Sequence, residues 1–324
     1  MSDRFLGSEK FASVLTTHGP IQCIDIGARG APKDDLLNLA PAVELYGFEP
    51  DKGECERLNS LHSSGASLPY RKIVYFPVAI GQKSEKRTLF IMKHKGASSL
   101  LSPIADIGSQ FSRNDYVTIE STCEIATMPL DEFLAANLLS NVVHAKIDVE
   151  GAELEVLQSA TRLLSSTLLS LRLEVSFLST RIGQPCYGDI EAHLRRYHFV
   201  PMDFLELHYW RRMTKKNPRK RAKGALPYSK GQVVHGDMLF FLSPEQVLQR
   251  PMEFIVKSAL IAMAFGYMDH AYYLITNSSA KKYLEDTFHM SLEQEFTIAS
   301  NHFHKKNKKS KYMEFFRHMF SNRR

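Results

Sequence analysis

Residues 145–157 read AKIDVEGAELEVL, an apolar run that ends in two acids and a glycine before apolar residues return at helical spacing. Strand alternation sets Lys146, Asp148 and Glu150 on one face. Gly151 then frees the turn into a helix, where Leu154, Leu157, Ala160 and Leu164 recur at three- and four-residue intervals and form one apolar stripe. Two carboxylates therefore gather at the carboxyl end of a strand, the edge at which open α/β sheets bind their ligands. Acids placed there without a task are costly, although Lys146 could pair with one of them or with Glu174 on the next strand.

Outward from this segment, apolar runs of strand length alternate with stretches of helical spacing, the pattern of stacked βαβ units. Strands are expected at 21–26, 43–48, 73–80, 142–149 and 168–177, with helices at 32–40, 51–62, 151–164 and 187–197. Their Val, Ile and Leu content on both faces predicts a parallel sheet covered by helices on each side. Residues 85–130 interrupt the alternation and read as an insertion of short exposed or edge strands around GASSLL. FVPMDFLELHYW (199–210) and VVHGDMLFFL (233–242) form a strand pair separated by a basic stretch, and from Pro244 the chain turns helical, with a helix-turn-helix in KSALIAMAFGYMDHAYYLITN.

The first strand, IQCIDIGARG (21–30), ends in Asp25 and bends through Gly27 and Gly30. Such a turn lets backbone approach a ligand closely, because glycine has no Cβ and tolerates positive φ. The full G-x-G-x-x-G spacing is missing, so the turn alone is compatible with a merely structural bend. Glu49 changes the balance. It ends the second strand about 20 residues on, where Rossmann-like sites place an acid to accept hydrogen bonds from ribose hydroxyls.

Composition agrees with a soluble globular chain: 324 residues, 44% hydrophobic and 23% charged. Neither a secretion signal nor a run long enough to span a membrane is visible, which predicts a cytoplasmic protein. Cys23, Cys55, Cys123 and Cys186 lie far apart and read as reduced and structural. His94 and His144 have no partner at ligand spacing, so no metal is expected. The net charge of +6 is concentrated in two stretches, RRMTKKNPRKRAKG (211–224) and the C-terminal HKKNKKSKYMEFFRHMFSNRR. A solvated hairpin tip, a nucleic-acid contact and an anionic membrane surface are the three readings of the first. In the tail, Tyr312, Phe315, Phe316, Met319 and Phe320 fall on one helical side among basic residues, a stripe that suits either an anionic membrane surface or packing on the protein's own helical region.

IDIGARG, GFEPD, VAIGQKSEKRTLFI, GASSLL, PLDEFL and KIDVEGAELEVLQSA occur in an order and spacing that resembles FkbM-type methyltransferases, which use S-adenosylmethionine. The resemblance is close over residues 20–180, with HGDMLFFL as a weaker continuation, and leaves the C-terminal part uncovered. It implies a class I methyltransferase (Rossmann-like) α/β fold, a seven-stranded, mostly parallel sheet with its last strand antiparallel and helices on both faces; the helical spacing after Pro244 adds a C-terminal helical extension that the resemblance does not cover. Residues 1–243 would form the methyltransferase domain and 244–324 the extension with its basic tail. Asp25, Gly27, Ala28 and Gly30 would face the amino-acid end of the cofactor, Glu49 would hold its ribose, and Ala79 and Ile80 would border the adenine. Asp148 would sit near the sulfonium and take the acceptor's proton, with Glu150 orienting that acceptor. Arg29 stands where a small or polar residue is frequent, and stays outside this set.

The expected activity is O-methylation of a sugar, glycan or glycolipid precursor. The protein would be cytoplasmic, with peripheral contact to an anionic membrane through the basic tail. The competing expectation is a nucleic-acid-binding protein or RNA methyltransferase that uses the basic 211–223 loop. No N/D-P-P-[YFW] amino-methylation signature follows the fourth strand, and the basic residues cluster in one loop instead of lining the strand ends, which favours the first.

Overall fold

A computed structural model of the chain describes residues 8–30, 32–63, 70–212 and 230–305. Most of the basic stretch 211–223 and the tail from 306 onward lie outside the described residues, as do the expectations attached to them. The described strands, in chain order, are β1 (Ile21–Ile26), β2 (Val43–Phe48), β3 (Lys72–Phe76), β4 (Ala79–Ile80), β5 (Glu85–Met92), β6 (Ile119–Met128), β7 (Val142–Ile147), β8 (Ser170–Ser176), β9 (Phe199–Trp210) and β10 (Gln232–Leu242). Seven of them make one sheet in the order β3-β2-β1-β7-β8-β10-β9. β1, β2, β3, β7 and β8 pair in parallel, while β10 runs antiparallel to both β8 and β9. The expected seven-stranded sheet with an antiparallel last strand is what forms.

Burial explains the placement. Every residue of β8 is buried, as befits a central strand covered on both faces, whereas β9 at the edge alternates between shielded and exposed positions. From β1 the chain builds outward through β2 to β3, then returns to lay β7 on the other side of β1. The carboxyl ends of β1 and β7 thus flank the point where strand order reverses, and a crevice opens there.

Helices α1 (Glu9–Thr17), α2 (Lys52–Ser63), α3 (Ala105–Phe111), α4 (Asn114–Val117), α5 (Leu130–Ala136), α6 (Glu153–Gln158), α7 (Thr161–Ser166) and α8 (Tyr187–Arg195) accompany the sheet. After it come α9 (Pro244–Val247), α10 (Met252–Ala264), α11 (Met268–Thr276) and α12 (Ala280–Phe288). One apolar core runs from the strands into these last helices. Phe265, just past α10, meets His144 of β7 and Phe241 of β10 at ring distances of 5.8 and 6.2 Å, and Phe11 of α1 packs edge-on against Phe296 at 5.6 Å. Helix α1 therefore packs against the described C-terminal region around Phe296.

The insertion is a second, three-stranded sheet in the order β4-β6-β5. Its existence corrects the expectation of one strand over 73–80. Pro77 has no N–H to give to a ladder, and the chain turns there, with the Val78 N–H donating to Phe76 O at 2.9 Å. Ala79 and Ile80 then pair with Thr127 and Met128 of β6 instead of extending β3. The helix expected over 151–164 is likewise two, α6 and α7. Asp131, in the PLDEFL segment, accepts the Arg162 and Leu163 N–H groups at 2.7 and 3.1 Å and so caps a fresh helix start. The helix expected at 32–40 is a 3₁₀ segment over Asp34–Ala42, with Pro41 inside it.

Candidate functional site

The turn after β1 is built around Gly27, at φ +83°. A Cβ there would stand 1.9 Å from the Asp148 carbonyl oxygen. The Asp148 N–H in turn donates to Ile26 O at 2.9 Å, and the Gly27 and Ala28 N–H groups donate to Phe48 O at 3.1 and 3.0 Å. Only glycine allows the ends of β1, β2 and β7 to meet this closely. Their junction forms the floor of a cleft of about 800 Å³, roofed by the insertion and bounded on one side by the β9–β10 hairpin.

One half of the cleft carries Gly27, Arg29, Phe48, Glu49, Val78, Ala79 and Ile80. Glu49 is 4% exposed and accepts the Asp51 N–H at 2.9 Å, with the Arg29 guanidinium 3.7 Å away. Burial raises its pKa, and the Asp51 N–H and Arg29 pull the other way. Three residues of the expected cofactor set stand behind the wall. Asp25 points beneath the turn to Lys146 Nζ at 3.1 Å, Ala28 packs with Cys55, Leu58 and Tyr75, and the Gly30 N–H donates to Glu54. They shape the turn that Gly27 presents to the cleft.

The other half is acidic. Asp148 follows β7 directly, and its carboxylate is 3.4 Å from Lys146 Nζ. Lys146 thus bridges Asp25 and Asp148 and makes no ion pair with Glu174; burial opposes its charge, but the two aspartates outweigh that and raise its pKa. Glu150 sits in the left-handed region at φ +58°. Arg181, 2% exposed, holds it with a 2.7 Å ion pair, and Ser99 Oγ donates to its backbone oxygen at 2.8 Å. The GASSLL loop is therefore a brace for Glu150. Burial and the neighbouring Glu174 push the Glu150 carboxyl well up, against Arg181. Glu153 is pushed to about 8 by burial and Glu174, while it accepts the Val149 and Gly151 N–H groups at 3.0 Å. Carboxylate oxygens of Asp148, Glu150 and Glu174 all lie within 4.8 Å of one another.

Rings line the wall above these acids. His94 stacks on Tyr116 at 4.4 Å, Arg113 lies over Tyr116 and Trp210 at 5.2 and 5.5 Å, and His208 stacks on His235 at 4.5 Å. Trp210, the last residue of the strand expected at 199–210, is buried and faces the cleft. Sequence reasoning gave no site role to Arg181, Glu174, His235, Tyr116 or Trp210. Glu174 and His235 stood in segments already singled out, but nothing in the sequence joined them.

Seven strands in this order, a glycine turn, an acid closing β2 and acids closing β7 define a class I methyltransferase fold with its cleft at the switch point. A profile of the methyltransferase FkbM domain matches residues 25–201, and the chain belongs to this family of S-adenosylmethionine-dependent methyltransferases. Three solved structures are among those to which the chain is similar. Methyltransferase FkbM from Methylobacillus flagellatus KT is 14% identical with a TM-score of 0.37, and the match covers 68% of this chain and 43% of that one. Magnesium protoporphyrin IX methyltransferase from Synechocystis PCC 6803, solved with bound SAM, is 10% identical at a TM-score of 0.32, covering 72% of this chain and 77% of that one. The 1,6-didemethyltoxoflavin-N1-methyltransferase of Burkholderia thailandensis is 9% identical at 0.30, covering 72% and 76%. No protein of curated function matches the chain by sequence. Among the described residues, no helix is long and apolar enough to cross a membrane.

Proposed function

We propose that the protein transfers a methyl group from S-adenosylmethionine to a hydroxyl of a carbohydrate acceptor, a sugar, glycan or glycolipid precursor. The observation that carries this reading is the pair Asp148 and Glu150, fixed at the carboxyl end of β7 and facing a cleft with a ring-lined wall. Acids accept hydrogen bonds from hydroxyls, and rings pack against the apolar face of a sugar. The donor set suits a cationic nucleoside: Glu49 offers its carboxylate to a ribose diol, Gly27 lets backbone approach, and Ala79 and Ile80 border a flat base. Asp25, Ala28 and Gly30 hold the turn against its amino-acid end. Bound there, S-adenosylmethionine supplies an electrophilic methyl group, so the protein's main task is alignment.

Asp148 and Glu150 receive the acceptor's hydroxyls and set one oxygen in line with the methyl carbon. Alignment of this kind supplies about 7–11 kcal/mol of a barrier when near ideal. Glu150, clamped by Arg181 and Ser99, is preorganised for the task. Glu49→Ala removes hydrogen bonds to a charged group, each worth about 1.5–3 kcal/mol. Calorimetric titration of this variant with S-adenosylmethionine should show affinity weakened by roughly 10- to 100-fold; parent-like affinity would remove Glu49 from the donor site.

A further inference from the structure

We infer that His235, oriented by Glu174, is the group that takes the hydroxyl proton during methyl transfer. The inference rests on the reaction proposed above and adds a catalytic residue to it. His235 stands on β10, and its Nδ1 lies 2.6 Å from Glu174 Oε1 on the neighbouring β8. A carboxylate can only accept, so Nδ1 carries the hydrogen and Nε2 keeps its lone pair. No described residue hydrogen-bonds Nε2, and the side chain is 21% exposed in the wall of the cleft that Asp148 and Glu150 also line. His208 of β9 stacks on one face of the ring and Trp210 meets it edge-on at 6.1 Å, which fixes its plane. This is the arrangement of a base held by a second group: one nitrogen anchored, the other presented to the reacting centre.

Asp148 already has a partner, because the Lys146 ammonium lies 3.4 Å from its carboxylate, whereas His235 Nε2 has none among the described residues. The groups facing His235 are Glu174 on β8, His208 on β9, Asp148 and Glu150 after β7, Arg181 in the loop after β8, Tyr116 in the insertion and Asp237 on its own strand. Burial works against the imidazolium, but the hydrogen bond and charge of Glu174 outweigh it, with Asp148 and Asp237 adding, and His235 titrates above its ordinary value. In the step, the acceptor oxygen forms a bond to the methyl carbon while the carbon–sulfur bond breaks and leaves its electron pair on sulfur. The O–H proton passes to Nε2, and the imidazolium that results is paired with Glu174.

Two readouts test the dyad. Nitrogen NMR of ring-labelled histidine in the full chain should show neutral His235 with its hydrogen on Nδ1 and a pKa above the ordinary histidine value, falling in Glu174→Gln. Labelled methyl transfer to a polysaccharide fraction of cell extract should drop about 10²–10⁴-fold in His235→Gln with donor affinity by calorimetry unchanged. In Glu174→Gln the acidic limb of the kcat/KM profile should move to lower pH. Hydrogen on Nε2, or His235→Gln turning over like the parent chain, would overturn the inference. Absence of donor binding would instead defeat the transferase reading, with the NMR result still judging the dyad.

Discussion

Asp148→Ala should bind S-adenosylmethionine about as tightly as the parent chain and transfer methyl at least about 10²-fold more slowly. Misplacing a reacting oxygen by 1 Å costs a factor of this order. The reason binding survives is local. The donor half of the cleft is anchored by Glu49 and the Gly27 turn, and Lys146 keeps Asp25 as its partner at 3.1 Å when Asp148 is gone. Asp148→Asn keeps the shape and the hydrogen-bonding oxygen while removing the charge, so it should fall between the two. Calorimetry and single-turnover kinetics separate the effects. Full turnover in Asp148→Ala would remove the residue from the acceptor site.

Gly27→Ala should give the largest loss of stability of any single methyl added at the site. The backbone at φ +83° is one that L side chains rarely adopt, and a Cβ would sit 1.9 Å from the Asp148 carbonyl oxygen. A sparsely populated conformation costs about 1–3 kcal/mol, and forcing extra atoms into packed structure typically another 1–3 kcal/mol. The strand ends would have to part, and with them the floor of the cleft. Gly30→Ala is the control. Gly30 has φ +91° but nothing within 4 Å of a Cβ, so only the backbone cost remains. Urea unfolding of both variants should show Gly27→Ala well below Gly30→Ala, and equal midpoints would contradict the close contact between β1 and the residues after β7.

What the sequence made legible follows from how each feature is encoded. β1 and β2 match their expected spans because a buried parallel strand is written as a continuous apolar run. The β9–β10 pair and the α10–α11 turn were legible for the same reason: their signals are local. The break between α6 and α7 was not, because its cause, the Asp131 carboxylate, lies some thirty residues upstream. Apolar spacing continues across the break and disguises it. The site divides along the same line. Gly27, Glu49, Asp148 and Glu150 follow strand ends, whose position the pattern reveals, and all four line the cleft. Asp25 lies inside β1, one residue before its end, and its side chain faces Lys146 beneath the turn. Arg181, Ser99 and His235 arrive from a loop, the insertion and the last strand, and only the assembled sheet brings them to Glu150 and Glu174.

The central claim is that the crevice between β1, β2 and β7 holds a cationic methyl donor. Calorimetric titration of the full chain with S-adenosylmethionine tests it most directly. Saturable binding near one donor per chain, weakened when Glu49 is truncated, is the predicted result; the absence of saturable binding to the folded chain would contradict it.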